Sequence, residues 1–163
     1  MNLAQRILMA RRGPIVEPYR YWKFIAGGEG FSWYSGGDGK VYSLYQLKLF
    51  TTNHASGVDY ALGSVASASE AANGHGPELA VDGSNATRWG GVWPGAGNAG
   101  KWIAVDLGVE RPILSATFIA YQDQNGIAIP EILNIEASKD EVTWVQFGPF
   151  ATLNITTQTI VVR

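Results

Sequence analysis

Asp82 and Thr87 close a short, glycine-containing loop, Val81-Asp82-Gly83-Ser84-Asn85-Ala86-Thr87. A carboxylate, a hydroxyl and the loop's own carbonyls make an all-oxygen donor set of the kind a hard cation such as calcium takes. Without a metal the same residues make an Asx-turn, in which the aspartate accepts backbone N–H groups. A second group of residues suits a sugar. Trp93 offers a flat ring to pyranose C–H groups, while Asn73, His75, Asp123, Gln124 and Asn125 carry amide, imidazole and carboxylate groups that hydrogen-bond hydroxyls. These residues fall in three stretches, 69–77, 89–101 and 121–130. His75 lies between Gly74 and Gly76, which favours exposure over a place in the core. The alternatives are a merely solvated His75 and a Trp93 that packs as a lid. Catalysis finds little support, since the chain carries neither H-E-x-x-H nor G-x-S-x-G.

The composition narrows the partners. A chain of 163 residues with 46% hydrophobic and 16% charged residues buries one ordinary core and leaves room for a short arm. A net charge of −2 supplies no field for a polyanion, so nucleic acid is not an expected partner. There is no cysteine, hence no disulfide and no thiol chemistry. No apolar run approaches the roughly 20 residues that cross a bilayer, so no membrane insertion is expected. In Met1–Pro14 the apolar stretch Ile7-Leu8-Met9-Ala10 is short and Arg11-Arg12 follow it, the reverse of a signal peptide. The chain is therefore expected to fold in the cytosol where it is made.

The elements that must position these residues are strands. Tyr21–Ile25 is aromatic and β-branched, and Val41–Phe50 alternates, Leu47 and Leu49 one way, Gln46 and Lys48 the other. Further strand-like runs stand at Trp102–Leu107, Ile113–Tyr121, Ile132–Ser138, Trp144–Phe147 and Thr157–Val162. Trp22, Trp102 and Trp144 lie within such runs and are expected in the core, and Trp89 beneath the 82–87 loop. A glycine-rich stretch from Gly27 to Gly39 carries Phe31, Trp33 and Tyr34, either a second binding surface or an oligomer contact. Leu3, Ile7 and Leu8 share one side of a two-turn helix that needs a partner surface. The expected fold class is all-β, an antiparallel jelly-roll sandwich over residues 19–163, with residues 1–18 as an arm.

Three motifs follow one another in the chain. Ala80-Val81-Asp82-Gly83-Ser84-Asn85-Ala86-Thr87-Arg88-Trp89 comes first, then Trp102-Ile103-Ala104-Val105-Asp106-Leu107-Gly108, then Ser138-Lys139-Asp140-Glu141-Val142-Thr143-Trp144. In this order they resemble the discoidin, or coagulation-factor C-type, domain and the related family 32 carbohydrate-binding modules. Glu141 stands where the last motif usually carries glycine, so the turn there is expected to need no left-handed residue. Tyr19-Arg20-Tyr21-Trp22-Lys23-Phe24 and Ser43-Leu44-Tyr45-Gln46-Leu47-Lys48-Leu49 look like the family's last strands, yet they come first. The resemblance thus implies a circularly permuted domain, an arrangement similar to modules of phage tail and fibre proteins.

The resemblance also implies a function and a site. It points to a non-catalytic adhesion module that binds cell-surface glycan through loops at one end of the sandwich. It implies a structural calcium held by Asp82, Thr87, Gln46 in place of the family's glutamate, and the carbonyls of Ala80, Asn85 and Tyr45. It further implies a virion setting, with the arm docked on virion structural proteins, several copies or a homo-oligomer, and synthesis in a host cytoplasm. A structural or decoration protein without sugar binding, and a bacterial accessory carbohydrate-binding module, are the alternatives.

Overall fold

A computed structural model describes residues 16–27, 42–91, 99–123, 126–153 and 155–162, with side chains at all of these but Asp123 and Gly126. The helix expected over residues 3–10 and the aromatic stretch from Phe31 to Tyr34 lie outside the described residues.

β1 (Tyr19–Ala26) shows how the alternation becomes structure. Trp22, Phe24 and Ala26 are buried on one face, while Tyr21, Lys23 and Ile25 are half-buried on the other. The strand is paired on both sides, antiparallel to β5 (Trp102–Arg111) and to β9 (Ile132–Ser138). β10 (Trp144–Ala151) and β3 (Val65–Ala68) complete a five-stranded sheet in the order β10-β9-β1-β5-β3. The facing sheet runs β11-β6-β2-β4, from β11 (Thr157–Val161), β6 (Ser115–Ala120), β2 (Ser43–Phe50) and β4 (Trp89–Gly90). Their inner faces meet in one core, where Phe24 of β1 and Phe118 of β6 pack edge to face with centroids 5.4 Å apart. Apart from a 3-10 turn at Pro77–Ala80 the described elements are all strands, as expected of an antiparallel sandwich, and no helix among them is long and apolar enough to cross a membrane.

β3 and the two-residue β4 were not legible as strands. Val65-Ala66-Ser67-Ala68 has little β propensity, and it forms because β5 offers it an open edge. Val16 is buried in the core and the Lys139 ammonium reaches the Glu17 carboxylate at 3.4 Å. The sandwich therefore begins before residue 19, inside what was expected to be the arm.

Arg20 and Asp106 tie the front of the chain to the second motif. The guanidinium donates from Nε to Oδ1 at 2.7 Å and from Nη2 to Oδ2 at 2.8 Å, across the β1–β5 pair. Asp106 also accepts the Gly108 N–H at 2.8 Å, and Gly108 takes a φ of +73° that a side chain would resist.

Two expectations are corrected. Trp102 and Trp144 are not core residues. The pleat that buries Ile103 and Val105 turns Trp102 outward, and Trp144 is paired with Ser138 on the same outer face. There the Lys23 ammonium lies 3.6 Å from the centroid of Trp144 and 5.7 Å from that of Trp102. The turn between β9 and β10 keeps the left-handed residue that Glu141 was expected to remove: its φ is +62°. Asp140 holds it there. Its Oδ1 accepts the Val142 and Thr143 N–H groups at 2.9 and 2.8 Å and the Ser138 hydroxyl at 3.0 Å, and those bonds outweigh the strain of one non-glycine residue. Glu141→Gly is therefore expected to stabilise the fold by about 0.5–1 kcal/mol, raising the melting temperature by roughly 1–4 °C, since relief of strain exceeds the added freedom of the unfolded chain. Thermal denaturation followed by circular dichroism measures it.

Candidate functional site

One end of the four-stranded sheet carries a cleft of about 270 Å³, walled by Tyr45, His75, Leu79, Thr87, Arg88 and Tyr121. Each wall has a local cause. Tyr45 is the unpaired residue of a bulge in β2, where Leu44 faces Ala120 and Gln46 already faces Ile119. Such a bulge re-aims the side chains next to it. Tyr121 directly follows β6, and its ring lies 5.5 Å from that of Tyr45. Arg88 reaches in from the end of the first motif. Its guanidinium carbon sits 4.1 Å above the Tyr121 ring and its Nη1 donates to Ser43 Oγ at 3.0 Å, so the charge is held in one place.

Buried Trp89 anchors the strand that follows. Its indole N–H donates to the Glu70 carbonyl at 3.0 Å, and its ring meets Tyr42 edge to face at 5.0 Å. His75 caps the other wall. Its backbone N–H donates to Ala72 O at 2.9 Å and its carbonyl accepts the Gly90 N–H at 3.2 Å, while its Nδ1 is buried with no partner among the described residues.

Behind the cleft the 82–87 loop is closed by hydrogen bonds. Asp82 Oδ1 accepts the Ser84 N–H at 2.8 Å, and Oδ2 accepts the Thr87 hydroxyl at 2.5 Å. Gln46 Nε2 donates to Asp82 Oδ1 at 3.1 Å, to Ser84 O at 2.8 Å and to Tyr45 O at 2.6 Å. Desolvation pushes the Asp82 carboxyl upward, but the bonds from Thr87, Ser84 and Gln46 outweigh it and the net shift is downward.

Of the residues singled out for a sugar, His75 lines the cleft. Asn73 is exposed on the same loop and does not line it. Trp93, Gln124 and Asn125 lie outside the described residues. Asp123 is placed by its backbone alone, in a small ladder of β7 (Gln122–Asp123) with β8 (Gly126–Ile127). Of the six residues expected around a cation, Tyr45, Gln46, Asp82 and Thr87 come together. Ala80 is buried, Asn85 is exposed, and the loop carbonyl in the cluster belongs to Ser84. Arg88 and Tyr121 were missed. Arg88 stood within the first motif and Tyr121 at the mouth of the third loop, but only the fold stacks one on the other.

The motif aspartates share an electrostatic state. The Arg20 guanidinium, against desolvation and with help from the Gly108 N–H, holds the Asp106 carboxyl below its ordinary value. The Thr143 and Val142 N–H groups and the Ser138 hydroxyl bring Asp140 from 3.8 to about 2. A carboxyl whose folded pKa lies below its unfolded one gives stability above the unfolded value and loses it as pH falls through the folded value. Stability is therefore expected to be level above about pH 5 and to fall steadily between about pH 4 and 2. Denaturant midpoints across that range check it, and Asp140→Asn is expected to start lower at neutral pH and fall less steeply.

Two antiparallel sheets with aspartate-braced loops and a cleft at one end define a β-sandwich of discoidin-like form. The chain belongs to the F5/8 type C (discoidin) domain family, whose model matches residues 64–162, more than half of its length. Searches of curated proteins and of solved structures found no match. Domains of this family are generally non-catalytic and often bind carbohydrates or other ligands. β1 and β2 lie outside the matched residues, yet each sits between two neighbours in its sheet.

Proposed function

We propose that this protein is a non-catalytic carbohydrate-binding adhesion module whose cleft at Tyr45, His75, Arg88 and Tyr121 receives the sugar. The observation that carries this reading is the fixed guanidinium of Arg88 above Tyr121, beside the second ring of Tyr45. A planar donor fork matches a vicinal pair of sugar hydroxyls or a sugar carboxylate, and the rings offer faces to C–H groups. Family membership supports the binding role.

The finer reading is a virion protein that meets a cell-surface glycan, with residues 1–14 docking on virion structural proteins in several copies. Its support is the order of the strands: the elements resembling the family's last strands come first, as in modules of phage tail and fibre proteins. A glycan array tests the binding claim, followed by calorimetry on the best hit. Arg88→Ala is expected to weaken binding about 10–100-fold, or about 1.4–2.7 kcal/mol, with a melting temperature close to that of the parent. Trp93→Ala on the same array tests the neighbouring loop. An array without hits would favour the structural virion role, and undiminished binding by Arg88→Ala would place the sugar elsewhere.

A further inference from the structure

The family resemblance led us to expect a calcium ion behind the cleft, and the residues present do not fit one. Three oxygens, Asp82 Oδ1, Ser84 O and Tyr45 O, converge on a single point, and the nitrogen of the Gln46 carboxamide stands there, 2.6–3.1 Å from each. All three are acceptors, so the N–H side of the amide is the one that faces them, its two hydrogens shared among the three; without a cation the amide oxygen turned inward would face three other oxygens. Gln46 is itself almost wholly buried. The set holds one carboxylate, Asp82, and calcium affinity falls as charged ligands become fewer. Thr87, the expected hydroxyl ligand, donates its proton to Asp82 Oδ2.

We propose that the Gln46 amide replaces the cation, cross-linking β2 to the 82–87 loop by hydrogen bonds and making the fold of this domain independent of calcium. The bulge at Tyr45 allows it. By dropping one residue from the β2–β6 ladder it turns the Tyr45 carbonyl and the Gln46 side chain toward the same loop. A glutamate at position 46 would set a second carboxylate against Asp82, and a divalent cation between them would then be required to hold the loop.

The test is thermal melting of the full chain, chelated and in millimolar calcium, for the parent, Gln46→Glu and Gln46→Met. The parent is expected to melt at the same temperature in both. Gln46→Glu is expected to melt lower in chelator and to recover in calcium by roughly 5–10 °C once calcium exceeds its dissociation constant about a hundredfold. Gln46→Met, which has no donor, is expected to melt lower in both and to ignore calcium. A calcium-dependent rise in the parent of that size overturns the proposal, as does a Gln46→Glu protein that melts like the parent in chelator. If Gln46→Glu does not fold at all, the parent and Gln46→Met decide it: a calcium response in either means that the loop holds a cation. These measurements read stability alone, so they stand apart from whether the cleft binds sugar.

Discussion

A chain shortened to residues 51–163 is expected to be insoluble or unfolded, although it keeps the whole segment that matches the family. The deletion removes β1 from between β5 and β9 and β2 from between β6 and β4. Trp22, Phe24, Leu44, Leu47 and Leu49 leave the core with them. Each such side chain contributes about 1.5–3 kcal/mol on burial, so the loss is comparable to the entire ~5–15 kcal/mol that holds a domain. The remainder also bares open edges on both sheets, which invites aggregation. The same strands are expected to restore the fold when residues 16–50 are fused behind residue 163 by a short linker. The geometry permits it, because Tyr19 pairs with Arg111, Val161 pairs with Ser115 and Phe50 pairs with the same Ser115. The beginning of β1 and the end of β11 thus meet at the crossing between β5 and β6. Soluble yield and near-ultraviolet circular dichroism of the two chains measure the effect. A folded 51–163 fragment would mean that the two strands are accessory, and a fused chain that stays unfolded would argue against a permuted domain.

Trp22→Ala is expected to destabilise the protein by about 3–5 kcal/mol and to lower the melting temperature by roughly 6–20 °C. The indole has no exposed surface, lies edge to face with Tyr19 at 5.9 Å and stacks on Phe147 at 5.8 Å. Its N–H donates to the Tyr19 carbonyl at 3.3 Å, so truncation also removes a partner from the start of β1. Trp144→Ala is the contrast. That ring is half-buried on the outer face under the Lys23 ammonium, and its loss is expected to cost about 1 kcal/mol. Denaturant titrations of both variants compare the two faces of one sheet, and equal losses would mean that the outer face is covered as fully as the core.

The difference between these tryptophans marks where reading the sequence stops. Alternation in Tyr21–Ile25 and Trp102–Leu107 established that these segments are strands, and the all-β class followed from their number and spacing. Alternation leaves open which phase faces inward when both phases are apolar or aromatic, as in Trp102-Ile103-Ala104-Val105. The pairing of β5 with β1 decided it, because one register fixes the face of every residue in both strands.

Asp82 was legible by type, since a short acidic side chain beside glycine braces a loop, while Asp106 and Asp140 stood only as motif positions. Their partners were not legible. Arg20 lies 86 residues from Asp106, and Gln46 lies 36 residues from Asp82. As a sugar site the cleft was legible only at His75, because Arg88 is held in it by Tyr121, just after β6, and by Ser43 of β2. By itself the sequence determined most of the strands, the family and the Asp82–Thr87 closure of the first motif's loop, all of which rest on neighbours in the chain. Tertiary structure alone decided which face each strand buries, which long-range partner each aspartate holds and what stands among the loop oxygens, because those depend on how segments far apart in sequence are paired and aligned.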